Sequence, residues 1–440
     1  MRNYIIFIIL FFSILSSVSN AQQVYDLKDC IGIGLEQNYQ ILIIKNNQEI
    51  SDNNVTFGNA GYLPTLDLNA GYSGTLNNVK QIPEVGENIK NNNVLNQVLN
   101  AGINLNWTVF EGFNVQTNNN RLKELQQIGE LNTKLTVENF IASISTEYYN
   151  YVQQRIMVKN LKSAVELSKE RLRIVEERYN IGSASRLDYQ QAKVDFNSDS
   201  SKLIQQQEVV YASRIKLNQI MALEDIESPL FVPDTIILMN ILPNKEELLQ
   251  QALEKNTYLL LAQGEKNLSV LELKTAQAQN YPYLRLNAGY GYNQNMYGIG
   301  TYKQQNYLGF NYGVTLGYNL FDGFNRSRTQ ENAKIQIENA GLLYQELELS
   351  IKSDFANAWM AYQNNMKLKD LERENIETAR DNNEIAMDRY KLGDLSGIEL
   401  REAQNSLLEA EQRLVQAQYN TKLCEISLML ICGQILEYLQ

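Results

Sequence analysis

The sequence of 440 residues contains no histidine at all. Without an imidazole, Ser-His nucleophiles, histidine-based zinc-hydrolase sites and histidine acid–base catalysis are all excluded. Cysteine is almost as scarce, since Cys30, Cys424 and Cys432 are an odd number without metal-type spacing. The sequence leaves their oxidation state open. These absences argue against an enzyme, and no cofactor or metal is expected.

The chain also lacks an excess of basic charge and, beyond its first residues, any long apolar run. Its net charge is −11, so no basic face for nucleic acid is indicated. Residues 1–21 combine Arg2, an apolar run and a small-x-small site that ends at Ala21, which is the pattern of a signal peptide. After them no run reaches the roughly 18 apolar residues of a membrane-spanning helix. An exported chain that spans a membrane would then use strands, which points to a bacterial outer membrane.

One stretch of the sequence occurs twice, 218 positions apart. Its copies run from Tyr62 to Tyr72 and from Asn280 to Tyr290. In both copies apolar and polar side chains alternate, which predicts a strand with one apolar and one polar face. A second alternating stretch follows each copy. The chain is therefore predicted to carry two β-hairpins, at 62–110 and 281–321.

Charged residues in these strands indicate which face meets lipid. Asp67 and Arg285 both lie on the polar face, and an Arg facing lipid near the midplane costs roughly 2–4 kcal/mol, an Asp less. The polar face, with Asp67, Asn69, Arg285 and Asn287, is therefore predicted to line a barrel lumen. Tyrosines near the strand ends are predicted to form an interfacial girdle. They are Tyr72, Tyr290, Tyr292, Tyr307 and Tyr312.

Long helical stretches follow each hairpin. Residues 114–180 contain no proline and a single glycine, and one helix of that length would be about 100 Å long. Residues 26–59 are also predicted to be a helix, with Asp26 as its N-cap. In 397–432, apolar and small residues recur at 3–4 spacing, which predicts knobs-into-holes coiled-coil packing.

The same order of elements is predicted twice. The first repeat, 22–224, holds a helix, the hairpin 62–110, a long helix 114–180 and a helix 187–224. The second repeat, 244–433, holds a helix, the hairpin 281–321, a long helix 325–390 and a helix 397–432. A linker at 225–243 joins the two repeats, and 434–440 form a C-terminal tail.

Four strands per chain are too few to close a membrane barrel, which begins at about eight strands. An open sheet in lipid would leave two edges of unpaired N–H and C=O groups, each costing several kcal/mol. The chain is therefore predicted to oligomerise, and strand physics leaves both eight strands from two copies and twelve from three open. A soluble sandwich is the alternative, but helices of this length have no place around one.

Several motifs together resemble those of the TolC-like outer-membrane efflux protein family, over essentially the whole mature chain. They are the duplicated plan, the Leu-Pro-x-Leu strand start at Leu63 (with Tyr281 in place of Leu in the second copy), the Phe-Asp/Glu-Gly corners at Phe110 and Phe321, and the Arg-Tyr-x-x-Gly turns at Arg178 and Arg389. The resemblance implies an α+β membrane protein that forms a homotrimer in the outer membrane. Its helices would form a periplasmic α-barrel and its strands a 12-stranded transmembrane β-barrel.

The function that this resemblance implies is a passive exit duct of a tripartite efflux pump or type I secretion system. The implied partners are a periplasmic adaptor (membrane fusion) protein and an inner-membrane pump of RND or ABC type. Drugs, metal ions and proteins all stay open as cargo. Two other classes compete with this hypothesis: a periplasmic adaptor, which would show one coiled coil flanked by compact β domains, and an outer-membrane enzyme, against which the missing histidine argues.

The resemblance also implies roles for two turns. They match the family's adaptor-docking turns through Arg178, Tyr179, Gly182, Arg389 and Gly393. The simpler interpretation is that the two glycines only end helices in the left-handed conformation, and both can hold.

Two further sets of residues match family positions near the second turn. Glu399 and Glu402 match acidic positions that ring the pore, where six carboxylates in a trimer would attract cations. The family pattern has Asp there, and helix-dipole stabilisation is the simpler interpretation of both acids. Asp188 and Tyr390 match a hydrogen-bonded latch that holds the tip closed, although a basic position of that latch is Leu395 here.

Overall fold

The computed structural model describes residues 24–240 and 242–438, so the predicted signal peptide lies outside the described residues. In chain order the elements are α1 (Leu27–Gln37), α2 (Tyr39–Asn54), α3 (Phe57–Ala60), β1 (Thr65–Gln81), β2 (Ile89–Glu111), α4 (Asn114–Asn180), α5 (Arg186–Ile220), α6 (Lys245–Lys255), α7 (Thr257–Ala278), β3 (Tyr283–Met296), β4 (Gln304–Gly317), α8 (Asn325–Leu392), α9 (Gly397–Ile431) and α10 (Ile435–Tyr438). Within these ranges, no helix has the combined length and hydropathy that a membrane crossing requires.

The helix predicted over 26–59 is interrupted, and this is a correction to the sequence analysis. Asp26 does cap α1, but Asn38 is extended, with ψ of 125°, and separates α1 from α2. Its Oδ1 accepts hydrogen bonds from the N–H of Gln40 and Ile41, while its Nδ2 donates to the carbonyl of Ile220 over 2.9 Å. The side chain thus caps α2 and ties it to the end of α5.

Asn256 makes the same interruption between α6 and α7. Its Oδ1 accepts from the N–H of Tyr258 and Leu259, and its Nδ2 donates to the carbonyl of Ile431 over 2.8 Å. Each of the two interruptions therefore anchors the C-terminal end of a helix, of α5 in one case and α9 in the other. The amide side chain provides hydrogen-bond partners for two N–H groups and one carbonyl. One helix can therefore end and the next begin here without leaving these groups unpaired.

The four strands form one antiparallel sheet in the order β1-β2-β3-β4. The register aligns the predicted faces across the sheet. Apolar partners form one row, Leu68, Ile103, Tyr290 and Phe310. Polar partners form the next row, Asp67, Asn104, Gly289 and Asn311.

One tyrosine of the predicted girdle lies on the wrong face. Tyr307 pairs with Asn293, whereas its neighbour Leu308 pairs with Tyr292 of the apolar face. Alternation along β4 therefore places Tyr307 on the polar face. Its position near a strand end is compatible with the girdle. The strand register, however, turns its side chain away from the face that meets lipid.

The chain divides into two compact units. The first, called the helical unit, comprises the described residues up to Lys45, Thr133–Leu259 and the residues from Leu347 onward; the second comprises Asn46–Asn132 and Leu260–Glu346 and contains the sheet. In the helical unit the linker is bound along α4. Arg155 Nη1 donates to the carbonyl of Val232 over 2.7 Å, and the hydroxyl of Tyr148 donates to Asp234 over 2.7 Å.

The cysteines are free thiols, which answers the question that the sequence leaves open. Cys30 and Cys432 are fully buried in the helical unit, and the thiol of Cys432 donates to the carbonyl of Leu248 over 3.3 Å. Burial raises the pKa of each of these two thiols to about 12. They therefore behave as small core residues, and Cys424 is half-buried.

Candidate gate at the helix turns

The two turns between the long helices are built in the same way. Gly182 and Gly393 have φ of +79° and +86°, a left-handed conformation that favours glycine. Ser183 N–H donates to the carbonyl of Arg178 over 2.8 Å, and Asp394 N–H donates to that of Arg389 over 2.9 Å. These bonds satisfy carbonyls that the helix ends would leave free.

A capping box starts the helix after each turn. Ser185 caps α5, and its hydroxyl donates to Asp188 over 2.7 Å. Ser396 caps α9, and its hydroxyl likewise donates to Glu399 over 2.7 Å. Asp188 and Glu399 thus occupy equivalent third positions of their helices, and each stabilises a helix start.

The two acids proposed from the sequence for the pore lie in the first turns of α9. Glu399 and Glu402 are both exposed. Hydrogen bonds from the hydroxyl and N–H of Ser396 lower the pKa of Glu399, because they stabilise its ionised form. Glu399 therefore carries its charge in a fixed position at the end of the helical unit.

Apolar side chains of α4, α5, α8 and α9 pack together beside the turns. The buried members of this tip cluster are Val175, Ala192, Ala386, Met387, Tyr390, Leu400 and Ala403. Next to it is a cavity of about 290 Å³ whose lining includes Asp188, Tyr390 and Arg178. Leu395, which occupies the basic position of the predicted latch, packs against the tip cluster.

The structure brings the predicted latch residues to the same cavity without a hydrogen bond between them in the described part of the chain. The carboxylate of Asp188 is taken up by Ser185. Tyr390 is 4% exposed, and burial raises the pKa of its hydroxyl. The latch pairing stays a prediction.

The two arginines of the repeated Arg-Tyr-x-x-Gly motif have different partners. Arg389 remains within its own turn and donates from Nε to Asp394 over 3.1 Å. Arg178 reaches the other turn, where Nη2 donates to the carbonyls of Tyr390 and Lys391 over 2.8 and 3.2 Å. Its guanidinium also lies over the Tyr390 ring, 4.9 Å from the centroid. Arg178 thereby connects the two helical hairpins.

Sequence reasoning missed two ion pairs near the tip. Arg171 is 2% exposed, and its Nη2 lies 2.6 Å from Asp195 Oδ2. Arg401 donates to both carboxylate oxygens of Asp199, which is 1% exposed. The sequence did contain a signal for the second pair. Asp199 lies three residues after Phe196 and four before Leu203, which is a core position of the heptad, and an acid at such a position requires a partner.

The residues predicted for the lumen lie together on the polar face of the sheet. Asp67 accepts a hydrogen bond from Asn106 Nδ2 over 3.4 Å. Arg285 pairs with Glu111 across 3.3 Å. Asn69 is aligned with Gly102, and Asn287 with Gly313. The described residues contain no group of acids or cysteines that could hold a metal ion.

Comparisons with known proteins agree with this fold. The family model "Outer membrane efflux protein" matches residues 32–223 and 248–434. The outer membrane protein TolC of Vibrio cholerae is 22% identical over 435 residues, which cover 96% of this chain and 94% of that protein.

Solved structures with the same fold include two outer-membrane channels. The CmeC channel of Campylobacter jejuni has a TM-score of 0.79 at 17% identity and covers 93% of this chain and 86% of its own. The open-state MtrE channel of Neisseria gonorrhoeae has a TM-score of 0.72 at 19% identity and covers 93% and 89%. Since the family model spans both repeats and the fold extends over nearly all of the chain, this protein belongs to the outer membrane efflux protein family and is an outer-membrane protein with its helices in the periplasm.

Proposed function

We propose that three copies of this chain form a passive duct through which an inner-membrane pump and a periplasmic adaptor export their cargo. The sheets of three copies would join into a 12-stranded barrel, and the helices would form a tunnel that is gated at the tip turns. Family membership supports a channel over an adaptor or an enzyme. CmeC and MtrE are outer-membrane channels, which supports a duct, and both a tripartite efflux pump and a type I secretion system would use one.

The observation that carries this proposal is the state of the sheet. Among the described residues, its outer strands β1 and β4 each pair on one side only. Its apolar face is open, with Leu68 78% and Tyr312 80% exposed. A surface of this kind is stable only when lipid covers the apolar face and other strands pair with both edges. Further copies of the same chain supply strands that pair with both edges.

Glu399 and Glu402 would set the ion selectivity of the tip. Both acids are exposed at the start of α9, and the bond to Ser396 keeps Glu399 ionised. In a trimer they would give six carboxylates around the opening, which would favour cations over anions. Arg178, Tyr179, Gly182, Arg389 and Gly393 would form the surface that the adaptor contacts.

The experiment that tests the proposal is recording of purified protein in planar bilayers under a KCl gradient. E399Q/E402Q is expected to lower the ratio of K⁺ to Cl⁻ permeability several-fold, because the ring loses the negative charge that attracts cations. E246Q/E247Q is the matched control, because Glu246 and Glu247 are also acids in a first helical turn but belong to α6. A wild-type protein that forms no channels and no heat-sensitive trimer would overturn the duct itself.

The capping box predicts how selectivity depends on pH. Because Ser396 lowers the pKa of Glu399, the carboxylate of the wild-type protein stays charged as pH falls until that lowered pKa is reached. In S396A the pKa returns upward, so cation selectivity is expected to decline at a higher pH than in the wild type. S185A, which removes the equivalent cap of α5, should leave this pH profile in place. Identical profiles for S396A and wild type would contradict the prediction.

A further inference from the structure

The first turns of α9 carry a cation as well as the two acids of the proposed gate. Arg401 lies between Glu399 and Glu402 in sequence. Successive residues of an α-helix are about 100° apart around its axis. Glu399 and Glu402 are therefore about 60° apart and share one face of α9, whereas Arg401 projects about 160° from Glu399 and about 100° from Glu402.

Asp199 of α5 binds that cation. Nη1 and Nη2 of Arg401 donate to its two carboxylate oxygens over 2.6 and 2.7 Å. The side chain of Asp199 is 1% exposed and that of Arg401 is 17% exposed. Paired N–H···O⁻ bonds of this kind combine charge with fixed geometry. The guanidinium is thus held against α5 and neutralised there.

The other arginine near Glu399 is also paired, although this second pair is exposed. Arg389 contributes an attraction that lowers the pKa of Glu399. Its guanidinium is nevertheless held by Asp394, with Nε 3.1 Å from Oδ2. Each of these two arginines therefore pairs with a carboxylate other than Glu399 and Glu402.

We propose that Asp199 is a specificity-determining residue of the gate, which acts by withholding the charge of Arg401 from Glu399 and Glu402. The inference rests on the proposed function, because it requires these two glutamates to set selectivity. With the pair intact, each subunit presents the charge of two carboxylates. Without the carboxylate of Asp199 the guanidinium loses both of these hydrogen bonds. Asp195 still attracts it, but Arg401 is the chain neighbour of Glu402, so its charge offsets part of the charge of the two acids.

D199N tests this in planar bilayers under a KCl gradient, with E399Q/E402Q as the reference. We expect the ratio of K⁺ to Cl⁻ permeability of D199N to fall part of the way toward the reference. D199N/R401Q removes both charges, so its ratio is expected to return to the wild-type value. If Asp199 were merely structural, removal of Arg401 would not rescue the ratio.

A second ion pair on α9 provides the matched control. Arg413 Nε lies 3.1 Å from Glu372 Oε2, and its Nη1 lies 3.7 Å from Glu409 Oε2. E372Q would remove the nearer of these two carboxylates from the arginine. Arg413 is 12 residues beyond Arg401, which is about 18 Å along the axis. Because that exceeds the Debye length, E372Q should leave the permeability ratio unchanged.

Each outcome decides something. A wild-type ratio for D199N beside an altered reference overturns this inference alone, as does a double variant that keeps the D199N ratio. An unaltered E399Q/E402Q ratio overturns the gate and the inference with it. If D199N does not assemble, D199N/R401Q can still contradict the inference, because a raised ratio would show that Arg401 already acts in the pore while it is paired with Asp199.

Discussion

L286R is expected to prevent assembly of stable trimers in the outer membrane. Leu286 lies in the inner strand β3, between Trp107 of β2 and Val314 of β4 on the apolar face. An arginine that faces lipid costs roughly 2–4 kcal/mol at the midplane and about 0–1 kcal/mol near the interfaces. Leu286 is the fourth of the 14 residues of β3, so its cost lies between these limits and is incurred three times per trimer. The measurement is the yield of heat-sensitive trimer in outer-membrane fractions.

The neighbouring substitution N287R is its control. Asn287 lies between Asn106 and Gly313 on the polar face, so an arginine there would face the lumen and remain hydrated. N287R is expected to assemble at the wild-type level. Equal trimer yields for L286R and N287R, whether both were high or both were low, would contradict the assignment of the two faces.

R171A is expected to destabilise the helical unit by about 3–5 kcal/mol, the usual cost of breaking a buried ion pair. Arg171 is 2% exposed, and its loss would leave Asp195 without its cation and a gap beside the tip cluster. Burial already lowers the pKa of Arg171, and Asp195 opposes that shift by stabilising the cation. The measurement is the free energy of unfolding by guanidinium chloride in detergent, with circular dichroism at 222 nm as the signal.

Two variants separate the ion pair from general damage to α4. R173Q removes an exposed arginine two residues away, whose partners are Glu170 and Glu177, and should leave the midpoint unchanged. R171M/D195L replaces both charges with apolar side chains and is expected to recover most of the loss. A double variant as unstable as R171A would show that packing, not the charge pair, is responsible.

Sequence patterns sufficed wherever the determining interaction is local. Strict alternation identified the strands and their two faces, because side chains of a strand point alternately to opposite sides. The glycines of the turns could likewise be recognised, since left-handed backbone favours glycine. Length and composition predicted α4, which the structure gives as Asn114–Asn180.

Other features depended on which groups the fold brings together. The interruption at Asn38 was not predicted, because its amide is satisfied in part by Ile220, which is 182 positions away. The parity of the β3–β4 register placed Tyr307 on the polar face, although its position near a strand end suggested otherwise.

The sequence by itself determined that this chain has amphipathic strands, long helices and two similar turns, since periodicity and turn chemistry are properties of neighbouring residues. Only the tertiary structure decided which charged side chains pair with each other. Arg178 and Arg389 occupy the same motif, yet one binds the opposite turn and the other its own. Asp199 is one acid among many in the sequence, and it becomes the partner of Arg401 only because packing places α5 against α9. Charge pairing acts across space, so it is fixed by packing and not by spacing along the chain.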